Sequence, residues 1–404
     1  MSRPLEGVRV ADFCWVGAGS YTTKMLADLG ADVVKIESGK RLDSLRLARP
    51  YKDGIKGVNR SGYFADRNTS KRGVTLNLKN ERARDLARRL ILWSDVTANN
   101  FTPGTLDRLG LGYQGFADEK PELIFVEMSM QGADGPARDY LGYGATIAAL
   151  CGLQYLTGLP GRDGAGTGTN YPDHIPNPCH AAFAILAALR HRRRTGRGQY
   201  VDLAQSEPTI ATLGTAMMAA SASMQVAPSH NGGVAHAPAG VYPTEGEDRW
   251  IAIDAANEGQ WRALVLALER NDLASDPRFA DAQSRIDNRE ALDAELSLAT
   301  RRHPGERLME LLQDAGVAAG VVRDAKGVVA DDPQLAHRGH WVTLEHPEMG
   351  ASLYSAPPYR FTRAEVGIRS RAPLLGEHTD AVCGEVLGLC EEEIAELRAE
   401  GALE

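Results

Sequence analysis

The sequence predicts an α/β protein built on a mainly parallel sheet. Three observations carry that prediction. Strand-like and helix-like segments alternate through the first half of the chain. The helical segments are long enough to carry each strand over to a parallel neighbour by a right-handed crossover. At 404 residues the chain also has ample length for a large core and for two or three domains.

Taken in order, Val8 to Phe13 is a short apolar strand, and Tyr21 to Leu29 has helical spacing that stops at Gly30. Ala31 to Glu37 predicts a second strand and Gly73 to Leu78 a third. Glu81 to Trp93 is an amphipathic helix, followed by strands over Asp95 to Asn99 and Leu123 to Met128. A helix is expected from Pro178 to Arg194, with Asn177 as its cap, Pro178 as its first residue and basic residues near its end. Thr195 to Gly198 breaks it, and Gln199 to Leu203 returns as a strand. Ser229 to Gly240, rich in Gly, His, Pro and Ala, predicts a loop. Trp250 to Asp254 then reads as a strand, and charged helices up to about Gln313 indicate a smaller second domain. From about Asp332 the chain is expected to be rich in loops until a short acidic helix, Glu391 to Arg398.

A formal net charge of −8 argues against nucleic acid or an anionic membrane as the main partner, while leaving room for a small basic pocket. The five cysteines (Cys14, Cys151, Cys179, Cys383, Cys390) are scattered and odd in number, with no C-x-x-C. That is neither a disulfide framework nor a zinc site, and it suits a reducing cytosol, where the protein is expected. No apolar signal region opens the sequence. Pro208 to Ser229 carries no charge, but its Thr, Ser, Gly and Ala content suits a helix buried in protein better than one crossing a membrane.

Gly17-Ala-Gly19-Ser-Tyr-Thr22, between a strand and a helix with Glu37 downstream, imitates a dinucleotide fingerprint. Thr22 stands where the third glycine would be, so a tight strand-to-helix turn accounts for it equally. His174 and His180, or His337 and His340, lack the further ligands a metal site needs, and no metal is expected. There is no G-x-S-x-G and no Walker-type loop. What remains is Tyr171-Pro-Asp173-His-Ile-Pro-Asn-Pro178 ahead of the long helix. Composition alone makes this a rigid loop with a capping Asp. A carboxylate held near helix-terminal N–H groups can also act as a nucleophile.

At these residues the chain resembles the family III CoA-transferases, a superfamily that also contains the α-methylacyl-CoA racemases. The resemblance runs through LEGVRVADF, MLADLGADVVKIE, RNTSKRGVTLNLK, NNFTPGTLDRLGLGY and AALRHRRRTGRGQYVDLAQSE to GVAAGVV, DPQL and APLLGEHTD. It implies a large Rossmann-like domain built from both chain ends, with a smaller α/β domain inserted, and an interlocked, ring-like dimer. On that basis residues 1–205 form the large CoA-binding domain, 206–228 a linking helix, 229–328 the small domain, and 329–404 a segment returning to the large domain. The resemblance implies Asp173 as the nucleophile. It implies CoA contacts from Val16, Ala18, Leu76, Lys79, Asn100, Phe101 and Arg108. Acyl-CoA and a carboxylic acid would be the substrates, with no cofactor beyond coenzyme A, and a homodimer or a heteromer with a paralogue the assembly.

The sequence departs from the formyl-CoA transferases in two places. Gly17 stands where they have a glutamine touching the small acyl group, and is expected to leave space there. Their closing run of glycines corresponds to Asn231 to Pro238, so Gly232, Gly233 and His236, with Tyr143, are expected near the acyl group. These changes favour acids bulkier than formate. An arginine that family members place after the second strand is Ser38 here, so Lys40 or Arg41 would have to replace it. A racemase would need a histidine where this chain has Tyr143, and no histidine precedes His174.

Overall fold

The structure is a computed structural model of the single chain, and it describes residues 2–158, 164–226, 228, 232–233 and 235–404. Asn231 and Val234 of the expected glycine loop, and the Ser229 boundary, lie outside the described residues. The chain divides into two compact units: residues 1–154, 166–224 and 334–404 form the first, and residues 155–165 and 225–333 the second.

The first unit holds a six-stranded sheet in the order β3-β2-β1-β4-β5-β6. Its strands are β1 (Arg9–Asp12), β2 (Asp32–Glu37), β3 (Arg72–Thr75), β4 (Val96–Asn99), β5 (Ile124–Glu127) and β6 (Gln199–Asp202), and every pairing is parallel. Parallel strands need helical crossovers on both faces, so their residues are buried on both sides. β4 accordingly has no exposed position. Alternate residues serve two cores. Ala11, Val34, Ile36 and Val74 meet one cluster with the helix Glu81–Trp93 and the C-terminal helices, through Val382, Ile394 and Leu397. Val10, Val33, Val96 and Ile124 meet another, with Leu26, Ala181 and Ile185 from two helices on the opposite face.

The helix Glu81–Trp93 matches the sequence reading to the residue. Asn80 caps it by accepting from the backbone N–H groups of Arg82 and Ala83. Its buried stripe is Ala83, Leu86, Ala87, Leu90 and Ile91, the helical period of a half-buried face. Each fully buried Leu or Ile there contributes roughly 1.5–3 kcal/mol.

The other predicted strands of this sheet lie within a few residues of their places, but several expectations need correction. The first helix, α1 (Val16–Asp28), starts five residues before Tyr21, because the glycine run is helical rather than a turn. The long helix spans Pro176–Thr195, so Pro176 rather than Pro178 leads it, and Ile175 rather than Asn177 is its cap. Asn177 is buried inside the helix, where its amide donates to Gln205. The uncharged stretch forms two short helices, Ser206–Ala211 and Gly214–Ser221, and the second has no buried residue in the single chain. The loop-rich tail contains a hairpin, Trp341–His346 paired with Gly350–Ser355.

The second unit has a three-stranded antiparallel sheet of Ala239–Pro243, Trp250–Asp254 and Ala318–Val322. Its core gathers Ile251, Ile253, Trp261, Leu264, Phe279 and Leu308. Arg285 is buried there against the Trp261 ring, and its guanidinium donates to Glu258 at 2.5 Å.

Candidate active site

In a sheet ordered 3-2-1-4-5-6 the chain reverses direction between β1 and β4, and the loops at their carboxyl ends part to leave a crevice. The first unit has its large cavity there, about 850 Å³, lined from the β1–α1 loop to Asp173. The loop is held from two sides. Asn100, just past β4, accepts from Trp15 N–H at 2.8 Å and donates to Trp15 C=O at 2.7 Å. Asp43 accepts from Val16 N–H at 3.0 Å. Val16 has φ +59°, a left-handed conformation that a β-branched residue reaches only at a cost of about 1–3 kcal/mol. The clamps on either side hold it there.

Asp173 lines this cavity and is 4 % exposed. It sits between two glycines. A Cβ on Gly17 would stand 2.8 Å from Asp173 Cβ, and one on Gly144 would stand 2.7 Å from Asp173 Oδ2. Both positions must be glycine for the carboxylate to occupy this place. Gly17 lines the cavity, but the space its missing side chain leaves is taken by Asp173 itself, which corrects the expectation of room for a larger acyl group. Gly144 opens the helix Gly144–Leu150 and donates its N–H to Asp173 Oδ2 at 3.2 Å. Among the described residues this is the one hydrogen bond the carboxylate receives. Burial therefore prevails and pushes the Asp173 carboxyl up to about 6, with Gly144 N–H opposing it.

The start of α1 faces the side chain of Asp173 at Gly17.

The cavity also has a cationic and aromatic lining. Lys79 and Arg108 line it with Arg41, and none of the three has a carboxylate partner among the described residues. Lys40 does, pairing with Glu404 at 2.8 Å, while Ser38 donates to the backbone C=O of the same residue. Of the two candidates to replace the missing arginine, Arg41 is thus the free one. It lies over the Trp15 ring at 5.4 Å, and Trp15 meets Phe101 edge to face at 5.5 Å. Val16, Ala18, Leu76, Asn100 and Phe101 line the same cavity. So does Tyr143, which is 66 % exposed.

Gly232, Gly233 and His236 belong to the second unit. Gly232 and Gly233 line a shallow depression there, and His236 Nε2 lies 2.6 Å from Asp254 Oδ1. Gly144 escaped the sequence reading, as did Tyr63, whose hydroxyl is 3.2 Å from His174 Nε2.

The model of CoA-transferase family III matches residues 5–379. The chain belongs to CoA-transferase family III. Succinyl-CoA–D-citramalate CoA-transferase of Chloroflexus aurantiacus is 30% identical over 98% of this chain and 97% of its own length. Human succinyl-CoA:glutarate CoA-transferase is 28% identical over 100% of this chain and 90% of its own. A probable CoA-transferase of Mycobacterium tuberculosis is 32% identical over 98% of this chain, which spans half the length of that relative (50%). The crystal structure of a CaiB/BaiF family protein from Brucella suis superposes with a TM-score of 0.86 at 31% identity, covering 96% of this chain and 100% of that one. As a family III enzyme the chain uses CoA substrates, and no helix among its described residues is long and apolar enough to cross a membrane.

Proposed function

We propose that this family III enzyme moves coenzyme A from an acyl-CoA to a free carboxylic acid, with Asp173 as the covalent carrier. One observation carries the reading: a buried carboxylate with a single N–H donor lines the same cavity as three cations without carboxylate partners among the described residues. Lys79, Arg108 and Arg41 would hold the phosphates of CoA, and Phe101 with Trp15 would cover its adenine.

The Asp173 carboxylate attacks the thioester carbonyl, the C–S bond breaks, and CoA leaves as thiolate from a mixed anhydride. The thiolate attacks Cγ of Asp173, the donor acid departs as its carboxylate, and CoA is left in thioester linkage to the enzyme. The acceptor carboxylate attacks the same Cγ and expels the thiolate, which then attacks the acceptor's carbonyl. Acyl-CoA and free Asp173 result, with no net change in protons. Gly144 N–H already touches Oδ2, so that oxygen keeps its donor and becomes the oxyanion when Cγ is attacked. The other oxygen is the nucleophile. A racemase would need a proton-transfer base that Tyr143, a phenol, does not supply.

The test is to trap the carrier. Hydroxylamine added with an acyl-CoA should convert wild-type enzyme to a hydroxamate at residue 173, read by peptide mass. An adduct that maps elsewhere would reject the reading. A panel of carboxylic acids assayed as acceptors would then assign the substrate, with dicarboxylates and branched or aromatic acids tried first.

The same reading includes an interlocked homodimer. Phe183 on the long helix is 73 % exposed and Met218 on the uncharged segment 70 %, apolar surface that a second copy would cover. Interlocked chains separate only by unfolding, so dimer mass should persist on dilution to nanomolar concentration.

A further inference from the structure

Beside Asp173 lies a chain of three side chains that the transfer mechanism does not yet use. Arg67 Nη2 is 3.3 Å from His174 Nδ1, and His174 Nε2 is 3.2 Å from the Tyr63 hydroxyl. The Tyr63 oxygen and Asp173 Cγ lie 3.3 and 3.4 Å from the point where a Cβ on Gly17 would stand, so no side chain of residue 17 separates them.

Proton direction along this chain follows from what each group is able to do. A guanidinium donates and never accepts, so His174 Nδ1 must offer its lone pair to Arg67. A neutral imidazole then carries its proton on Nε2 and donates it to the Tyr63 oxygen. That leaves the Tyr63 proton to the other side of the oxygen, where the Asn170 side chain and the Asp173 charge both act on the phenol. The imidazole does stay neutral. Burial, then Arg67, holds it down to about 4, against Asp66 on the other side. Tyr63 keeps its proton too, because burial and then the Asp173 charge push the phenol up to about 12.

We infer that Arg67 and His174 are positioning residues that lock one imidazole tautomer, so that Tyr63 always presents a proton to the acyl group on Asp173. Tyr63 is then a second donor, alongside Gly144 N–H, to the oxyanion at Cγ. A tetrahedral centre receiving one N–H is under-served, and Tyr63, which makes no hydrogen bond to Asp173 at rest among the described residues, would reach the oxyanion as charge develops. The inference rests on Asp173 being the carrier.

Its test begins with the enzyme at rest. In protein labelled with 15N at histidine, the His174 resonances are assigned by their loss in His174→Gln. They should show a protonated Nε2 and a bare Nδ1, unchanged from pH 8 to pH 5. A proton on Nδ1, or titration near the ordinary histidine value, would overturn the inference. In turnover, Tyr63→Phe should lower kcat about 100-fold with KM for acyl-CoA within about twofold, since one oxyanion donor is worth that much. His174→Leu, which cannot donate, should lose about tenfold. His174→Gln, which keeps an N–H near the Nε2 position, should recover most of it. A Tyr63→Phe enzyme with full kcat, while the wild type still yields the residue-173 hydroxamate, rejects the inference alone. Failure to trap the wild type rejects the carrier and the inference together.

Discussion

Asp12 and Asp173 are both buried in the first unit, one at the end of β1 and the other against Gly17 of α1, and their surroundings are opposite. Asp12 ends β1 and is fully enclosed. It accepts from Lys71 Nζ at 3.0 Å, Thr23 Oγ1 at 2.7 Å and Cys14 N–H at 2.9 Å. Lys71 has three further acceptors in Ser20 C=O, Thr23 and Asn68, and nearby Lys35 pairs with Asp43 at 3.0 Å. Burial acts to raise the Asp12 carboxyl, but Lys71 and Lys35 outweigh it and hold the group below the usual carboxylate range. Asp173 has burial without cations. The first arrangement is inert and fixes backbone, since Asp43 also accepts from the Val16 and Leu45 N–H groups. The second leaves a desolvated carboxylate with lone pairs to spend on a substrate. Burial alone does not mark a reactive carboxylate, and the company it keeps decides the role.

The same substitution at the two sites should therefore have crossed outcomes. Asp173→Asn removes the nucleophile while keeping the shape, and CoA transfer should fall by about 10⁴-fold or more. CoA binding through Lys79, Phe101 and Arg108 should remain within a few-fold. Asp12→Asn should leave transfer by the folded fraction within about tenfold. Its damage is to stability, because Lys71 loses its buried carboxylate partner, a loss of about 3–5 kcal/mol. Asp173→Asn should go the other way. A carboxyl raised from its ordinary value to about 6 costs the folded state up to about 3 kcal/mol at neutral pH, so the amide should stabilise by about 1–3 kcal/mol. Urea midpoints with unchanged slopes would read both. Equal destabilisation at the two sites would erase the distinction.

Of these two environments the sequence shows only parts. The sheet was legible because parallel strands buried on both faces are short apolar runs between helices of ordinary period. The start of α1 was not, because Gly17 and Gly19 are poor helix formers retained for close approach: a Cβ on Gly19 would stand 2.6 Å from Cys14 Cβ. The strand Ala239–Pro243 was hidden by glycine and proline, and the hairpin Trp341–Ser355 by flanking prolines and half-exposed strands. Asp173 was legible through family resemblance, since the YPDHIPNP loop by itself suits a cap as well. Gly144, Tyr63 and Arg67 were out of reach, because tertiary folding brings Arg67 to His174 across 107 residues. Only a contact map shows such a pair.

A smaller perturbation sharpens the contrast without touching either carboxylate. Gly144→Ala puts a methyl group where Asp173 Oδ2 now lies, forcing the side chain off its single donor. We expect kcat to fall about 10–100-fold, in line with the loss of an oxyanion donor. The added methyl group also stands 2.9 Å from Asn170 Cβ, so overpacking of about 1–3 kcal/mol should outweigh alanine's better helix propensity and lower the urea midpoint. A Gly144→Ala enzyme with normal kcat would mean that the carboxylate does not react from the position seen here.

The smallest expected effect is on pH dependence, and it follows from the Asp173 carboxyl lying at about 6. The attacking form is the ionised one. Trapping of the acyl or CoA adduct on wild-type Asp173, read by intact mass after rapid quenching because hydroxylamine itself protonates in this range, should be level above about pH 7, near half at pH 6, and should drop about tenfold per unit below that. A carboxylate held like Asp12, below the usual range, would give a profile with no such fall. Stability should respond with the opposite sign. Because the folded state holds the Asp173 proton more tightly than the unfolded chain does, it binds more protons between about pH 4 and pH 6. The group's contribution to stability is then fully present below about pH 4 and is lost as pH rises through about 6. The difference in urea stability between wild type and Asp173→Asn should shrink accordingly as the pH is taken from 7.5 to 5, where other groups titrate equally in both proteins. If that difference is constant over this range while trapping also stays level, Asp173 is not the desolvated carboxylate described here, and its contrast with Asp12 fails.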